Sequence, residues 1–209
     1  MQDPISAILY IIVLIFSVII HELAHGYMAD YFGDPTARLE GRLTLNPINH
    51  IDPFGSIILP LLTYMSGGFV IGWAKPVPYN PYNLSGRKAE IAVASAGVLA
   101  NIGLAVVFSI IMRFSVGVLP PSFLLASTMI VMTNIMLFVF NLLPIPPLDG
   151  SRILAGLLSY KYMRIIDGLQ NWGFLLLIGL VVFFGNYLSY LFSIVFSIFV
   201  GPGVLSALH

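Results

Sequence analysis

The chain of 209 residues contains no cysteine and few charged residues. The absence of cysteine excludes disulfide bonds and thiolate metal ligands, and it leaves the redox compartment undetermined. Charged residues make up 9% of the chain, whereas an average soluble domain has about 25%. The nine basic residues equal the nine acidic ones in number, so the net charge gives no indication of nucleic acid as a partner.

Apolar residues are abundant instead, at 58% of the chain. A helix of about 20 apolar residues crosses a bilayer core of about 30 Å. The composition therefore predicts a single integral-membrane domain over residues 1–209, an all-α polytopic membrane protein with about five to six transmembrane or re-entrant helical segments. Five apolar stretches carry this prediction: Pro4 to Tyr31, Phe54 to Trp73, Ile91 to Met112, Ser122 to Leu143 and Trp172 to Val204. The last is longer than one ordinary span and is interrupted by Gly185-Asn186, which predicts a short helical hairpin.

The basic residues indicate a topology. If the first helix runs inward, the third stretch outward and the fourth inward again, only Arg113 lies outside, as the positive-inside bias favours. The other basic residues are then cytoplasmic: Arg38, Arg42, Lys75, Arg87, Lys88, Arg152, Lys161 and Arg164. This arrangement requires the stretch 54–73 to enter and leave by the same face, and an ordinary kinked span is the alternative.

A small β element near the cytoplasmic face is also predicted. Residues 38–45 alternate between apolar or small residues and polar ones, a period of two that is typical of a strand. The proline-rich stretch 73–82 favours extended backbone beside it. Such an element would anchor the structure or offer an edge to an unwound substrate.

The end of the first apolar stretch carries a His-Glu-x-x-His sequence, residues 21–25. On a helix, His21 and His25 share one face because they are four residues apart, and Glu22 lies beside them. Two imidazoles suit a zinc ion, and an adjacent carboxylate is placed to take a proton from water. The pattern indicates hydrolytic chemistry in a membrane setting.

A second polar pattern follows the fourth apolar stretch, over Asn141 to Gly150. Its three prolines must end the helix, and Asp149 lies in otherwise apolar surroundings. A carboxylate at membrane depth is costly and needs a partner. Asp149 could provide the third zinc ligand, or it could cap a helix that begins near Ser151.

Together, the two patterns resemble the site-2 protease family of intramembrane zinc metalloproteases. A third element is similar to the family as well, Gly97 to Asn101, although Val98 stands where the family often has proline. No PDZ-like or other regulatory domain is recognised, so the resemblance is to a minimal catalytic core. It implies zinc ligands at His21, His25 and Asp149, a general base at Glu22, and a role for Asn141 near the reacting carbonyl.

The resemblance implies an endopeptidase that cleaves within or near transmembrane segments. Its partners would be the lipid bilayer and membrane-anchored protein substrates whose helix can unwind. Its site would lie towards the cytoplasmic side of the plasma membrane of a prokaryote. The alternative is a membrane zinc-binding or adaptor protein without proteolytic activity. Asn141 could instead satisfy carbonyls freed by the prolines, and Asn101 could join helices. His50 and Asp52 lie in a segment rich in Pro and Asn, where a turn role is favoured.

Overall fold

A computed structural model describes residues 4–58, 62, 73–115, 117–158, 166, 168–201 and 204. Its helices are α1 (Pro4–Tyr31), α2 (Thr36–Leu39), α3 (Arg87–Ser115), α4 (Pro121–Asn141), α5 (Asp149–Leu157) and α6 (Gly173–Val200). Short 3₁₀ turns lie at Pro47–His50, Pro81–Asn83 and Gln170–Trp172, and a π-helical turn lies at Pro53–Ile58. The all-helical fold predicted from the sequence is confirmed.

The central helix is α3, which contacts α1, α4, α5 and α6. Its partners in α1 show that the two helices are antiparallel, because His21 bonds to Asn101 whereas His25 bonds to Val93. Proline at the first position of α4, Pro121, fits a helix start because the nitrogen there needs no partner. After α1 ends, the chain turns at Gly33. Its φ of 102° is a left-handed conformation that favours glycine.

Four helices are long and apolar enough to cross a membrane within the part of the chain that the structure describes. They are Pro4–Tyr31, Arg87–Ser115, Pro121–Asn141 and Leu175–Val200. In the last turn of α3, Arg113 donates hydrogen bonds to the carbonyls of Ile198, Phe199 and Val200. Because these carbonyls lie at the end of α6, the helices α3 and α6 end on the same side.

The hairpin predicted for residues 172–204 is wrong. One continuous helix covers Gly173–Val200. Gly185 and Asn186 do not interrupt it, since apolar surroundings offer the backbone no competing partner and the helix keeps its internal hydrogen bonds. The last turns of α6 pack on a buried cluster of α3 and α4 that includes Met112, Val131 and Ile135.

The strand predicted for residues 38–45 is also wrong. The described residues contain no strand, and this stretch begins inside the short helix Thr36–Leu39. The physical reason is Gly41, whose φ of 64° turns the chain so that the Arg42 N–H bonds to the Ala37 carbonyl. That local closure satisfies backbone groups that a strand would have paired with a neighbour.

The two ends of the apolar stretch 54–73 lie against each other. The Trp73 N–H donates to the Gly55 carbonyl at 3.0 Å, and the Ser56 hydroxyl donates to the Trp73 carbonyl at 2.8 Å. A crossing would separate these ends by about 30 Å. The chain therefore returns to where it left, as the re-entrant interpretation requires. Most of the residues in between lie outside the described part of the chain.

Candidate metal centre

The two histidines of α1 project into the interior of the helix bundle. His21 and His25 are only 6% and 9% exposed. Their four-residue spacing brings the two Nε2 atoms within 3.1 Å of each other. The rings meet edge to face, with centroids 4.7 Å apart. The helix predicted from the sequence thus places both imidazoles at one point.

Asp149 reaches the same point from the other end of the chain. The prolines after α4 end that helix, and α5 begins at Asp149 itself. Its Oδ2 lies 3.1 Å from His21 Nε2 and 3.2 Å from His25 Nε2. The N-cap residue of α5 is Leu148, whose side chain makes no capping hydrogen bond. The carboxylate therefore faces the histidines rather than the start of its own helix.

These three atoms fit a metal ion. The His25 Nδ1 lies 2.7 Å from the Val93 carbonyl, which only accepts, so the proton is on Nδ1 and the Nε2 lone pair faces inward. Buried Asp149 Oδ2 has no hydrogen-bond donor. Tetrahedral zinc with bonds of about 2.0–2.1 Å holds its ligand atoms about 3.3 Å apart. The observed separations match that spacing, and three converging acceptor atoms need a cation.

Helix α3 closes the back of this centre at Gly97. A Cβ atom there would stand 2.7 Å from His21 Nδ1 and would overlap the Nε2 atom of His25. Only a residue without a side chain lets α3 approach the imidazoles this closely. One turn further, Asn101 Oδ1 lies 2.6 Å from His21 Nδ1. Asn101 thus bonds to a proposed ligand and, as interhelical bonding would predict, to other helices.

Glu22 is held from the loop side. Its Oε2 accepts a hydrogen bond of 2.8 Å from the backbone N–H of Val77. Val77 lies between Pro76 and Pro78, which have no N–H, so it is the single donor of this Pro-Val-Pro sequence. The guanidinium of Arg42, 8% exposed, donates to the carbonyls of Lys75 and Pro76 at 3.1 Å each. Arg42 therefore holds in place the loop segment whose Val77 N–H binds Glu22.

The remaining candidates lie outside the cluster of ligand atoms. Asn141 closes α4, where its Nδ2 donates to the Leu137 carbonyl, so its role near a reacting carbonyl stays a prediction. His50 bonds to the Thr44 carbonyl at 2.8 Å. Asp52 accepts from the Gly55 N–H at 2.6 Å. The last two make the local backbone contacts that a turn role predicts.

Sequence reasoning missed two features of the site. Asn134 of α4 bonds to Asn101, and its polar side chain in an apolar stretch was a signal that could have found it. Val77 gave no signal, because the group that contacts Glu22 is a backbone N–H and not a side chain.

The fold and the site define a class: a multi-pass helical protein whose interior brings two histidines and an aspartate together in a group that could hold a metal ion. Comparison of the sequence with known protein families agrees with this class. The model of peptidase family M50 matches residues 9–128 and 121–184. The chain belongs to peptidase family M50, the site-2 proteases, and it is an integral multi-pass membrane protein and a zinc metalloprotease.

Relatives with curated names point the same way. "Putative zinc metalloprotease YwhC" of Bacillus subtilis is 38% identical over 192 residues, which cover 86% of this chain and 83% of that protein. "Putative zinc metalloprotease Rip2" of Mycolicibacterium smegmatis is 31% identical over 166 residues, which cover 79% of this chain and 63% of that protein. "Zinc metalloprotease MJ0392" of Methanocaldococcus jannaschii is 27% identical over 159 residues, 75% of this chain and 36% of that protein. No solved structure matches this chain significantly.

Proposed function

We propose that this metalloprotease cleaves peptide bonds within or near the transmembrane segments of membrane-anchored proteins. One observation carries the proposal: two of the three proposed ligands, His21 and His25, lie on a helix that is long and apolar enough to cross a membrane. A substrate must bring its bond to that depth. Since a helix hides its carbonyls in its own hydrogen bonds, the substrate segment has to unwind locally.

The chain's own residues divide the work. His21, His25 and Asp149 would hold the ion. Zinc bound there supplies Lewis-acid polarisation of a carbonyl and a more acidic water. Glu22 would act as the general base and acid, accepting a proton from water on its carboxylate and giving it to the leaving amine. The Val77 N–H holds one carboxylate oxygen, Oε2, so Oε1 is the atom assigned to proton transfer.

The site is assigned to the cytoplasmic side of a prokaryotic plasma membrane. The positions of the basic residues support this orientation, because Arg113 lies at the far end of α3 while Arg87, Arg42 and Arg152 lie near the other end of the bundle. Its substrates would be membrane-anchored regulators or remnant signal peptides left by an earlier cut.

Glu22→Gln tests the function. The substitution keeps the size of the side chain and removes the base, so zinc content should stay at that of the unmodified protein while cleavage falls about 10²–10⁴-fold. Quantitative proteomics of membranes from cells with either form should then show membrane-anchored fragments that accumulate with Glu22→Gln. Glu40→Gln, the same chemical change at an exposed position, is the control. If no membrane-anchored protein accumulates while peptide hydrolysis is lost, the substrate class is wrong.

Orientation has its own test. The chain has no cysteine, so single cysteines at exposed Ser85 and Val118 report their side of the membrane to an impermeant thiol reagent. Ser85→Cys should react from the cytoplasmic face and Val118→Cys from the opposite face. The reverse pattern would invert the assignment, and labelling of both from one face would contradict the crossing of α3.

A further inference from the structure

Three buried polar side chains lie behind His21, each on a different helix. Ser17 belongs to α1, Asn101 to α3 and Asn134 to α4, and their exposed fractions are 4%, 0% and 0%. All three lie within stretches long and apolar enough to cross a membrane. Polar groups in such surroundings are costly unless each is bonded, so this cluster needs a physical reason.

The hydrogen bonds of the cluster have a direction. Asn134 Nδ2 lies 2.9 Å from both the Ile130 carbonyl and the Ser17 hydroxyl. The Ile130 carbonyl can only accept, so the amide of Asn134 must turn its NH₂ towards it and its Oδ1 towards Asn101. Asn101 Nδ2 then donates to that Oδ1 at 2.8 Å, which is its shorter bond, since the Ser17 carbonyl lies 3.5 Å from the same nitrogen. The Asn101 Oδ1 is thereby turned towards His21.

This chain of hydrogen bonds ends at the imidazole of His21. With Oδ1 of Asn101 at 2.6 Å, the Nδ1 of His21 must carry the proton, and the Nε2 lone pair faces Asp149 and His25. If the amide of Asn101 were reversed, its NH₂ would face His21 and would favour the opposite tautomer, in which Nε2 carries the proton and cannot bind a metal.

The two histidines differ in this respect. His25 donates to a backbone carbonyl, that of Val93, which accepts in every orientation and needs no further control. His21 donates to a side-chain amide, which accepts with one end and donates with the other. Only His21 therefore depends on a second residue to orient its partner.

We propose that Asn134 is a positioning residue for the metal centre: through Asn101 it fixes the tautomer of His21 and keeps Nε2 available to zinc. The hydrogen bonds of Asn134 go to Asn101, Ser17 and Ile130, so it would act on the proposed ligand His21 only through Asn101. The inference rests on the zinc site alone and not on the proposed class of substrate. Partners of this outer kind are known to change metal affinity by about 10–100-fold when they are removed.

Zinc affinity of the full chain in detergent, measured by competition with a chelator of known affinity, tests the proposal. Asn134→Leu has similar volume and no amide, and should bind zinc about tenfold more weakly. Asn101→Leu should weaken binding at least as much, because it removes the acceptor itself. Ser17→Ala should have little effect, since the Ile130 carbonyl still orients Asn134. Thr133→Val is the matched control: its buried Oγ1 has no hydrogen-bond partner, so affinity should not change.

A second measurement separates positioning from loss of packing. The chain has four histidines, so ¹⁵N-histidine labelling of metal-free protein resolves the tautomer of His21. Unmodified protein should show the proton on Nδ1, and Asn134→Leu should show a mixture. Unchanged zinc affinity in Asn134→Leu overturns the proposal, as does weaker affinity with His21 still protonated only on Nδ1. His21→Ala must lose zinc, which distinguishes failure of the site from failure of Asn134 to act on it.

Discussion

The two sides of the metal centre are built differently. On the helix side, His21 and His25 are held by partners in α3, and Asn134 of α4 stands one step behind. On the loop side, Glu22 is held by a single backbone N–H in a proline-rich segment. The geometry of the proposed ligands is thus fixed by the packing of helices that pass one another, whereas the proposed base depends on a loop. Metal binding and proton transfer should respond to different substitutions.

The largest effect is expected on the helix side, at Gly97. Gly97→Ala places a methyl group against His21 Nδ1 and His25 Nε2, so the imidazoles must move apart and zinc affinity should fall by at least about 100-fold. Metal analysis of purified protein measures the loss. Gly103→Ala on the same helix is the control, because a Cβ there meets nothing within 4 Å. Full zinc occupancy in Gly97→Ala would contradict the close approach of α3.

An intermediate effect is expected on the loop side, at Val77. Val77→Pro removes the N–H bonded to Glu22, and the following Pro78 already favours extended backbone at this position. Cleavage should fall about tenfold through misplacement of the base, with zinc content unchanged. Val77→Ala keeps the N–H and serves as the control for lost packing. Equal activity of the two variants, assayed as kcat and KM on one substrate, would show that the N–H does not position Glu22.

The smallest effect is expected at Asp34, which joins the loop side to the end of α1. Burial opposes the charge of this carboxyl, but hydrogen bonds from Thr36, Asn83 and the Asn80 N–H outweigh it and lower its pKa. The stability that Asp34 adds is therefore complete above the ordinary pKa of aspartate and is lost as the pH falls through the lowered value.

Asp34→Asn should lower the thermal transition at neutral pH by a few degrees and should weaken its dependence on pH below about 4. Circular dichroism of the protein in detergent across that range checks both. Zinc affinity should be unchanged, which sharpens the contrast with Gly97. An equally steep acid dependence in Asp34→Asn would show that another carboxylate is responsible.

The sequence predicts the helices, and the residues that come together as a possible metal-binding group, better than it predicts the loops. His21, His25 and Asp149 are recognisable because costly polar residues in apolar stretches need a common purpose. The period of residues 38–45 misled, because one left-handed glycine at 41 outweighs an alternating pattern. Gly185-Asn186 led to the wrong prediction of a hairpin, because a helix in apolar surroundings tolerates residues that would end it in water. The contact of Glu22 with Val77 involves a backbone group and leaves no trace in residue types.

The bonds of Asp34 to Asn80 and Asn83 have a consequence in polymer terms. Asp34 and Asn80 are 46 positions apart, so their hydrogen bond closes the chain between them into a long loop at its base. The entropy of closing a loop rises only with the logarithm of its length, and doubling the length costs about 0.6 kcal/mol. Changes of length between these anchors therefore add little to the entropy of closure, provided that Arg42 keeps its bonds to the Lys75 and Pro76 carbonyls and Val77 keeps its bond to Glu22. The length of the chain between Asp34 and Asn80 can therefore vary while the contacts of Glu22 stay the same.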